Sequence, residues 1–522
     1  MGRTRKSCCC IFLVVLVIAA LIAGGIIYAV LKSKKNSNAN TNIADESKYA
    51  EALKVSLQFL DIQKAGKLVN NKISWRGNSA LKDGSEIDVD LSKGLYDAGD
   101  HMKFGFPMAF TATILAWTIL EYGESMKKVD QYKPATDSLK WITDYLVNAH
   151  PKDNMLYVQV GDADTDHKCW DRPETMSDKR PVSQINKTSP GSDVAAETAA
   201  ALAAASLVFK KSSDDTSYSE DLLKHSKQLF SFADKYRGLY SASLPKVKKY
   251  YNSTGYGDEL LWAGAWLYHA TGEKTYLNFV TGKDADDYAD MDNPTWFSWD
   301  NKLPGAQVLL ARSSFFDEEA GGNSVIGNYK QTAEAVMCNV LPNSPKTTSS
   351  KTDSGLLWVS EWNSLQQPVA HAFLATLYGD YMKKSNNKKL DCDGETFSPD
   401  DLRDFAISQA NYVLGKNPEK MSYLVGMDGF GDKFPQFVHH RGASIPADEK
   451  PSCSEGFKWL ESDEPNPNEA TGALVGGPYL NETYVDARNN VKQGEPTTYS
   501  CALAIALFSS LITTHDVDKS LS

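Results

Sequence analysis

The sequence predicts an all-α fold of helical hairpins, preceded by one apolar segment long enough to cross a membrane. Apolar residues recur at three- and four-residue spacing along most of the 522-residue chain, which is typical of helices. Many of these segments are apolar on two faces, as helices that pack on both sides are. No segment shows the sustained alternation of apolar and polar residues that predicts strands.

By this periodicity there are roughly 11 or 12 helical segments. The clearest are 48–63, 109–122, 136–148, 193–210, 219–235, 258–271, 303–312, 329–341, 362–382, 401–414 and 498–513. The long connections between them, notably 151–192, 283–302 and 421–497, are rich in Gly, Pro and Asn. Because long loops in compact domains usually carry function, we expect one domain over 47–516 with its chemistry on these loops. The polar segment 384–400 is expected to form a surface insertion.

The charge balance argues against a nucleic-acid binder. The chain carries 66 acidic and 55 basic side chains, for a net charge of −11. The first 35 residues hold six of the basic side chains and no acid, so the remainder is more acidic still. Phosphate binding needs concentrated Lys and Arg, which this remainder lacks.

Residues 11–31 are predicted to form a transmembrane helix. They are 21 consecutive uncharged residues, enough for roughly 30 Å of helix, the thickness of a bilayer core. The short basic tail, residues 1–10, is expected to stay cytosolic, with 32–46 as a linker. The domain would then lie outside the cell or in a lumen, as in a single-pass type II membrane protein. A cleaved secretory signal is the alternative, and it would give a secreted protein.

Glycosylation sequons and cysteines fit an extracellular or lumenal domain. The sequons begin at Asn186, Asn252 and Asn481. The cysteines beyond the apolar segment are Cys169, Cys338, Cys392, Cys453 and Cys501. Sequons mark acceptor sites in secreted proteins. An odd number of cysteines leaves at least one free or paired between chains.

The segment Gly94 to His101 contains two acids three residues apart, Asp97 and Asp100. Glycines in this segment permit a tight turn. Close carboxylates can hold a water between them and remove its proton. A purely structural turn is the alternative interpretation.

Two later loops carry further candidates. His439, His440 and Arg441 are adjacent and can donate hydrogen bonds to hydroxyl groups, or they could simply cap a loop. Glu495 stands shortly before an apolar helical segment, and Pro496 suits the first position of a helix. A helix start would lower the pKa of Glu495, whereas a general acid needs burial or nearby negative charge to raise it. Asp486 is a candidate for that charge.

Taken together, these segments resemble glycoside hydrolase family 9. The resemblance covers 47 to about 513 in order, and also includes YVQVGDADTDH, TGYGDELLWAGAWLYHATG and LGKNP. Within the family, KFGFPMAFTATILAW, CWDRPE, FSWDNKLPGAQVLL and QFVHHRGASIPAD look most similar to plant endo-β-1,4-glucanases. The resemblance implies an (α/α)6 barrel of six inner and six outer helices.

The resemblance also implies inverting hydrolysis of internal β-1,4-glucosidic bonds, as in cell-wall glucan remodelling. Asp100 matches the base, Asp97 its partner in positioning water, and Glu495 the general acid. His439, Arg441 and Asp486 match further active-site residues, with His440 beside them. An inverting pair leaves room for a water, with roughly 6.5–9.5 Å between carboxyls. Trp170, Trp299 and Trp358 are candidate sugar platforms, with core packing as the alternative.

Some features stay open from the sequence alone. Cys501 stands where the family usually has Asn. Some relatives bind calcium through residues that match Asp258, Glu259 and Asp300, and carboxylates suit calcium; helix capping is the alternative, and no cofactor is required by the reaction. We expect a monomer that acts on amorphous rather than crystalline glucan, because no cellulose-binding module is visible. A non-catalytic glucan-binding protein, or a hydrolase of another β-glucan or glucomannan, is the alternative function.

Overall fold

The structure is a computed structural model that describes residues 46–211, 216–291 and 293–512, with residues 517, 519 and 521. The basic tail, the apolar segment predicted to cross a membrane and nearly all of the linker lie outside the described residues. The compact unit that begins at Ala50 contains every helix and strand after the first helix.

Helices dominate the described chain. They are α1 (46–63), α2 (Gly105–Lys128), α3 (Tyr132–Ala149), α4 (Ala163–Asp166), α5 (Ser192–Lys210), α6 (Thr216–Lys235), α7 (Tyr240–Ser243), α8 (Gly257–Thr271), α9 (Lys274–Thr281), α10 (Lys283–Tyr288), α11 (Leu303–Phe316), α12 (Glu318–Gly321), α13 (Ser324–Val340), α14 (Gln366–Lys384), α15 (Pro399–Val413), α16 (Arg441–Ser444), α17 (Phe457–Leu460), α18 (Val491–Gly494) and α19 (Thr498–Leu511). Short 3-10 turns lie at Ser85–Ile87 and Pro245–Lys249.

Six helices form a closed inner ring. In order around the ring they are α2, α5, α8, α11, α14 and α19, and α19 packs back on α2. Nearly all of their residues are buried, and α19 is buried along its whole length. Buried on every side, these helices are apolar on every side, which explains the two apolar faces in the sequence. This is the inner ring expected of an (α/α)6 barrel.

The outer helices each pair with the inner helix before them. α3 packs on α2, α6 on α5, α9 on α8, α13 on α11 and α15 on α14. They bury one face only. On α3, for example, Leu139 and Ile142 are buried while Lys133 and Asp137 face solvent. The predicted helical hairpins are therefore present in the mostly helical structure.

The helix α5 is long and apolar enough to span a membrane by length and composition. It is also wholly buried as an inner helix of the ring. Its alanines allow α2, α6 and α8 to pack against it closely. Its apolar character is therefore explained by the core.

The sequence patterns missed five short strands in the part of the chain that the structure describes. β1 (Lys103–Phe104), β2 (Met155–Val160) and β3 (Val182–Asn186) form an antiparallel sheet in that order, with Lys103 opposite Val160 and Met155 opposite Asn186. β4 (Leu390–Cys392) and β5 (Glu395–Phe397) form a hairpin inside the predicted surface insertion. Strands of two to six residues are too short to show a clear alternation.

Disulfides join Cys169 to Cys453 and Cys338 to Cys392, and Cys501 is free and buried. The prediction that one of the five cysteines stays unpaired within the chain is therefore confirmed. Cys501 Sγ lies 3.2 Å from the backbone nitrogen of Leu474, which donates to it. The thiol thus takes up a backbone donor that would otherwise be buried without a partner.

One buried ammonium group joins four helices of the inner ring. Lys302, at the start of α11, has no exposed side-chain surface. Its Nζ lies 3.0 Å from Glu259 of α8 and 3.4 Å from Glu197 of α5. It also lies over the rings of Phe106 and Phe110 of α2, at 4.6 and 5.2 Å. Burial opposes its charge, but the two carboxylates outweigh burial and raise the pKa of Lys302.

Replacing Lys302 with Met should lower the free energy of unfolding by about 3–5 kcal/mol, because it leaves two buried carboxylates uncompensated. Urea denaturation measures the loss. The matched control is Lys133→Met, which removes an exposed ion pair with Asp137 and should cost less than about 1 kcal/mol. The loss at Lys302 should shrink at low pH, where protonation neutralises the carboxylates. A loss as small as that of the control would contradict this account.

Candidate active site

A cleft of about 690 Å³ opens where several inner helices begin. Its lining comes from the segments just before α2, α8, α11, α14 and α19, and from loops in other parts of the chain. The lining residues include Asp97, Asp100, His167, Trp170, Tyr251, Trp299, Trp362, His439, Arg441, Glu495 and Tyr499. The three motifs that the sequence singled out therefore meet in one cavity.

Backbone hydrogen bonds hold these motifs together. The nitrogen of Thr498 donates to the carbonyl of Asp97 at 3.0 Å, and that of Arg441 donates to the carbonyl of Gly99 at 3.1 Å. The nitrogen of His439 donates to the carbonyl of Gly494 at 3.0 Å. A Cβ atom at Gly99 would lie 2.1 Å from the carbonyl oxygen of His439. Only glycine permits this close approach of the two loops.

Asp97 and Asp100 lie in different surroundings. Asp97 is only 5% exposed, and its Oδ2 accepts a hydrogen bond from the Tyr251 hydroxyl. Its Oδ1 is buried and has no hydrogen-bond partner. Burial, together with the nearby charge of Asp100, raises the pKa of Asp97 well above its usual range, although the Tyr251 hydroxyl opposes this.

The Asp100 side chain is 10% exposed and reaches the cleft. Its Oδ1 accepts from the backbone nitrogen of Met102 at 3.1 Å, and its Oδ2 lies 3.1 Å from His167 Nε2. Burial opposes the charge of His167, but the hydrogen bond to Asp100 and the charges of Asp100 and Asp166 raise its pKa. The His167 ring therefore holds Asp100 Oδ2 in place at the edge of the cleft.

Glu495 lies across Gly99 from this pair. Its Oε1 accepts from the Gly99 backbone nitrogen at 3.2 Å. Burial and the charges of Asp100 and Asp97 raise the pKa of Glu495 well above its usual range, while the Gly99 hydrogen bond and Arg441 oppose the shift. A carboxyl group in this position holds a proton at pH values where exposed glutamates have lost theirs.

The expected helix start at Pro496 was wrong. Helix α19 begins at Thr498, and the Thr497 side chain caps it by accepting from the Ser500 nitrogen. A threonine oxygen can accept that hydrogen bond and proline offers no such side chain, so the helix starts two residues later. Glu495 is thus held by the Gly99 loop rather than by the helix.

His439 and Arg441 both line the cleft. His439 Nδ1 donates to the carbonyl of Arg488 at 2.6 Å, and burial lowers the pKa of His439 to about 4. The ring is therefore neutral near pH 7, with Nε2 left as a hydrogen-bond acceptor. Arg441 makes a buried two-pronged ion pair with Asp166, with nitrogen–oxygen distances of 3.2 and 2.7 Å. Its Nε is buried without a hydrogen-bond partner.

Three sequence candidates lie elsewhere. His440 is buried: its Nδ1 accepts from Ala443 and its Nε2 lies 2.9 Å from Gln63 Oε1. Asp486 accepts from the backbone nitrogens of Gln436 and Phe437. Trp358 lines a different cavity.

None of these three belongs to the described lining of the cleft. Asp486 instead binds the backbone of the loop that leads to His439, and the negative charge near Glu495 comes from Asp100 and Asp97. His440 supports the Asp97 loop through Gln63, whose amide nitrogen donates to the carbonyl of Ala98. Both residues act by holding loops in place.

The other two tryptophan candidates line the cleft. Trp170 follows the Cys169–Cys453 disulfide and lies 4.9 Å from the His439 ring. Its Nε1 donates to Ser444 Oγ at 2.9 Å. Trp299 lies 4.9 Å from Tyr251, with the two rings edge to face. Sequence reasoning missed His167, Tyr251, Trp362 and Tyr499 as cleft residues.

The calcium candidates already have protein partners. Both oxygens of Asp300 accept from Thr254, and Asp258 accepts from the Lys302 backbone nitrogen. Lys302 Nζ lies beside Glu259 Oε1, while Glu259 Oε2 is buried without a hydrogen bond. That orphan oxygen is compatible with a cation, and calcium binding stays a prediction.

A second group of possible metal ligands comprises Asp100, Asp166 and His167, whose ligand atoms lie within 4.8 Å of one another. These side chains are already paired with residues that line the cleft, since Asp166 pairs with Arg441 and His167 pairs with Asp100. These contacts account for the cluster without a metal. The sequon residues Asn252 and Asn481 are exposed and Asn186 is partly exposed, so glycosylation stays a prediction at all three.

The sequence model described as glycosyl hydrolase family 9 matches residues 49–508. The chain belongs to this family, as its residues suggested. Endoglucanase 2 of Arabidopsis thaliana is 62% identical over 480 residues, 92% of each chain. Endoglucanase 24 of rice, Oryza sativa subsp. japonica, is 58% identical over 482 residues, 92% of this chain and 90% of the other.

Solved structures agree with this assignment. The endoglucanase of the termite Nasutitermes takasagoensis superposes with a TM-score of 0.78 and 36% identity, over 89% of this chain and 98% of the other. The cellulase Cel9M of C. cellulolyticum in complex with cellobiose gives a TM-score of 0.74 and 30% identity, with the same coverage. The fold and the family are thus established by independent comparisons.

Tyr251→Phe should lower kcat roughly 10- to 100-fold, because it removes a hydrogen bond to a carboxylate worth about 1.5–3 kcal/mol. The same hydrogen bond lowers the pKa of Asp97, so its loss raises that pKa and moves the acidic limb of the activity profile to higher pH. Measured kcat against pH tests this. The control Tyr329→Phe removes a buried hydroxyl that donates to Val280 and should leave the profile in place. An unshifted acidic limb in Tyr251→Phe would contradict the role given to Tyr251.

Proposed function

We propose that this protein is an endo-β-1,4-glucanase that hydrolyses internal bonds of cellulose-like glucans with inversion at the anomeric carbon. One observation carries the proposal: a carboxyl group with a strongly raised pKa, Glu495, faces the Asp97 and Asp100 pair across Gly99 in an open cleft. Glycoside hydrolysis needs one carboxyl to give a proton and another to take one. The names of the relatives support the same substrate class.

Glu495 acts as the general acid. It donates its proton to the glycosidic oxygen as the bond from that oxygen to the anomeric carbon breaks. Asp100, on the other side of the sugar ring, takes a proton from a water whose oxygen bonds to the same carbon. Asp97, three residues earlier in the same loop, is the partner of Asp100 in positioning that water. At the end Asp100 holds a proton, Glu495 lacks one, and exchange with solvent restores both.

Other cleft residues orient the sugar. The neutral His439 ring accepts a hydrogen bond from a sugar hydroxyl through Nε2, and the Arg441 guanidinium, which also lines the cleft, adds positive charge beside the sugar. Trp170 and Trp299 provide apolar walls. Every proton in this scheme moves between groups of the chain, substrate and water, so the scheme requires no cofactor.

Glu495→Gln should reduce hydrolysis of cello-oligosaccharides far more than hydrolysis of aryl cellobiosides, whose leaving group departs without a proton. Without the general acid, the rate of cello-oligosaccharide hydrolysis should decrease by on the order of 10²–10⁴-fold. Asp100→Asn is the matched comparison, since loss of the base should slow both substrates by similar factors. Steady-state kinetics of both variants on both substrates distinguish the acid role from the base role. Equal losses in Glu495→Gln would remove Glu495 from the acid role.

Inversion has its own readout. Proton NMR during the first minutes of cello-oligosaccharide hydrolysis should show the α-anomer as the first product of the β-linked substrate. Initial β-anomer would mean a retaining mechanism with a glycosyl-enzyme intermediate.

We also propose that residues 11–31 anchor the protein as a single-pass type II membrane protein, with its glycosylated catalytic domain outside the cytosol. The uncharged length of this segment and its basic flanks support the anchor. Carbonate extraction should leave the protein in the membrane pellet, with an apparent mass that decreases after deglycosylation. A soluble protein whose N-terminus lies just after the apolar segment would show that the segment is a cleaved signal.

A further inference from the structure

A second cavity, of about 570 Å³, lies beside the cleft. Its lining residues are Lys351, Thr352, Asp353, Trp358, Glu361, Tyr479, Leu480 and Asn481. None of them belongs to the described lining of the cleft. We call this cavity the outer groove.

The outer groove combines an apolar wall with a charged rim. Trp358, Tyr479 and Leu480 supply the wall, and Leu480 is 52% exposed, which is unusually high for so apolar a side chain. The indole of Trp358 is held in place because its Nε1 donates to the carbonyl of Pro478 at 3.1 Å. An aromatic ring already fixed in position binds a flat apolar surface with little loss of entropy.

The outer groove and the cleft meet at a boundary formed by residues 360–362, here called the seam. Glu361 lines the outer groove, while its neighbours Ser360 and Trp362 line the cleft. Across the seam, Lys492 Nζ lies 2.7 Å from Glu361, and the residue before it, Val491, lines the cleft. Trp362 stands on the cleft side with 51% of its surface exposed. The outer groove therefore adjoins the cleft on the side where Trp362 stands.

We propose that the outer groove binds the part of a β-1,4-glucan chain that extends beyond the cleft. This inference rests on the proposed function. Glucose rings in such a chain have apolar C–H faces and hydroxyl edges, which match an apolar wall with charged groups along its rim. An endo-acting enzyme holds the middle of a long chain, so chain beyond the cleft is always at hand at high local concentration.

The test compares a long substrate with a short one. Leu480→Asp should raise KM for the neutral polymer hydroxyethylcellulose roughly fivefold, the effect of losing part of an apolar side chain's contact area. Cellotetraose, which is short enough to be held by the cleft alone, should keep its kcat and KM. Leu480→Met retains the apolar contact and should restore the KM for the polymer.

Leu81→Asp is the matched control, since Leu81 is 57% exposed and lines neither cavity. It introduces the same charge and should change neither substrate's kinetics. An unchanged polymer KM in Leu480→Asp, or an equal rise with cellotetraose, would overturn the proposal.

Two further measurements test whether the variant changes binding itself and whether a glycan covers the outer groove. Affinity electrophoresis in gels containing hydroxyethylcellulose reports binding without turnover, so weaker retention of Leu480→Asp supports the groove even if the proposed reaction fails. Asn481 is part of the lining, so all assays are repeated after enzymatic removal of N-glycans. An effect of Leu480→Asp seen only in the deglycosylated enzyme would mean that a glycan covers the groove, which overturns the proposal for the native protein.

Discussion

The close contact at Gly99 is the constraint on which the site depends. The nitrogen of Gly99 donates to Glu495, its carbonyl accepts from Arg441, and its Cα lies against the His439 carbonyl. Three loops from distant parts of the sequence meet at one residue that has no side chain. A side chain at this position would clash with the His439 carbonyl and push apart the loops that carry Asp97, Asp100 and Glu495.

The ring in turn depends on charge buried within it. Lys302 joins α8 and α5 through Glu259 and Glu197, and its Nζ also donates to the carbonyl of Trp299. Trp299 packs edge to face on Tyr251, which donates to Asp97. Packing in the core of the barrel therefore helps to fix the position of Asp97, which lines the cleft.

The sequence predicted the helical hairpins because helical periodicity spans many residues and averages over local exceptions. It missed the strands because each is too short to show a period. It found Asp97, Asp100 and Glu495 through motifs that lie next to one another along the chain. His167 and Tyr251 were missed because their roles come from contacts with Asp100 and Asp97 that only folding creates.

Two of the predicted site residues lie outside the described lining of the cleft for a related reason. Asp486 is close to Glu495 in sequence, yet its oxygens accept from Gln436 and Phe437 and it is not among the residues described as lining the cleft. Trp358 and Trp362 are four residues apart, yet they line different cavities. Sequence proximity to a motif identifies the loop, whereas the side of the loop that a residue faces is set by its packing.

Burial and the charges of Asp100 and Asp97 together raise the pKa of Glu495 and so keep its carboxyl group protonated. An infrared titration of the carboxyl region tests this most directly, with the spectrum of Glu495→Gln subtracted to isolate Glu495. We expect a pKa for Glu495 well above that of an exposed glutamate in the wild-type protein, and a clearly lower pKa in Asp100→Asn, where one neighbouring charge is gone. An ordinary pKa in the wild-type protein, or the same raised value in both proteins, would contradict the claim.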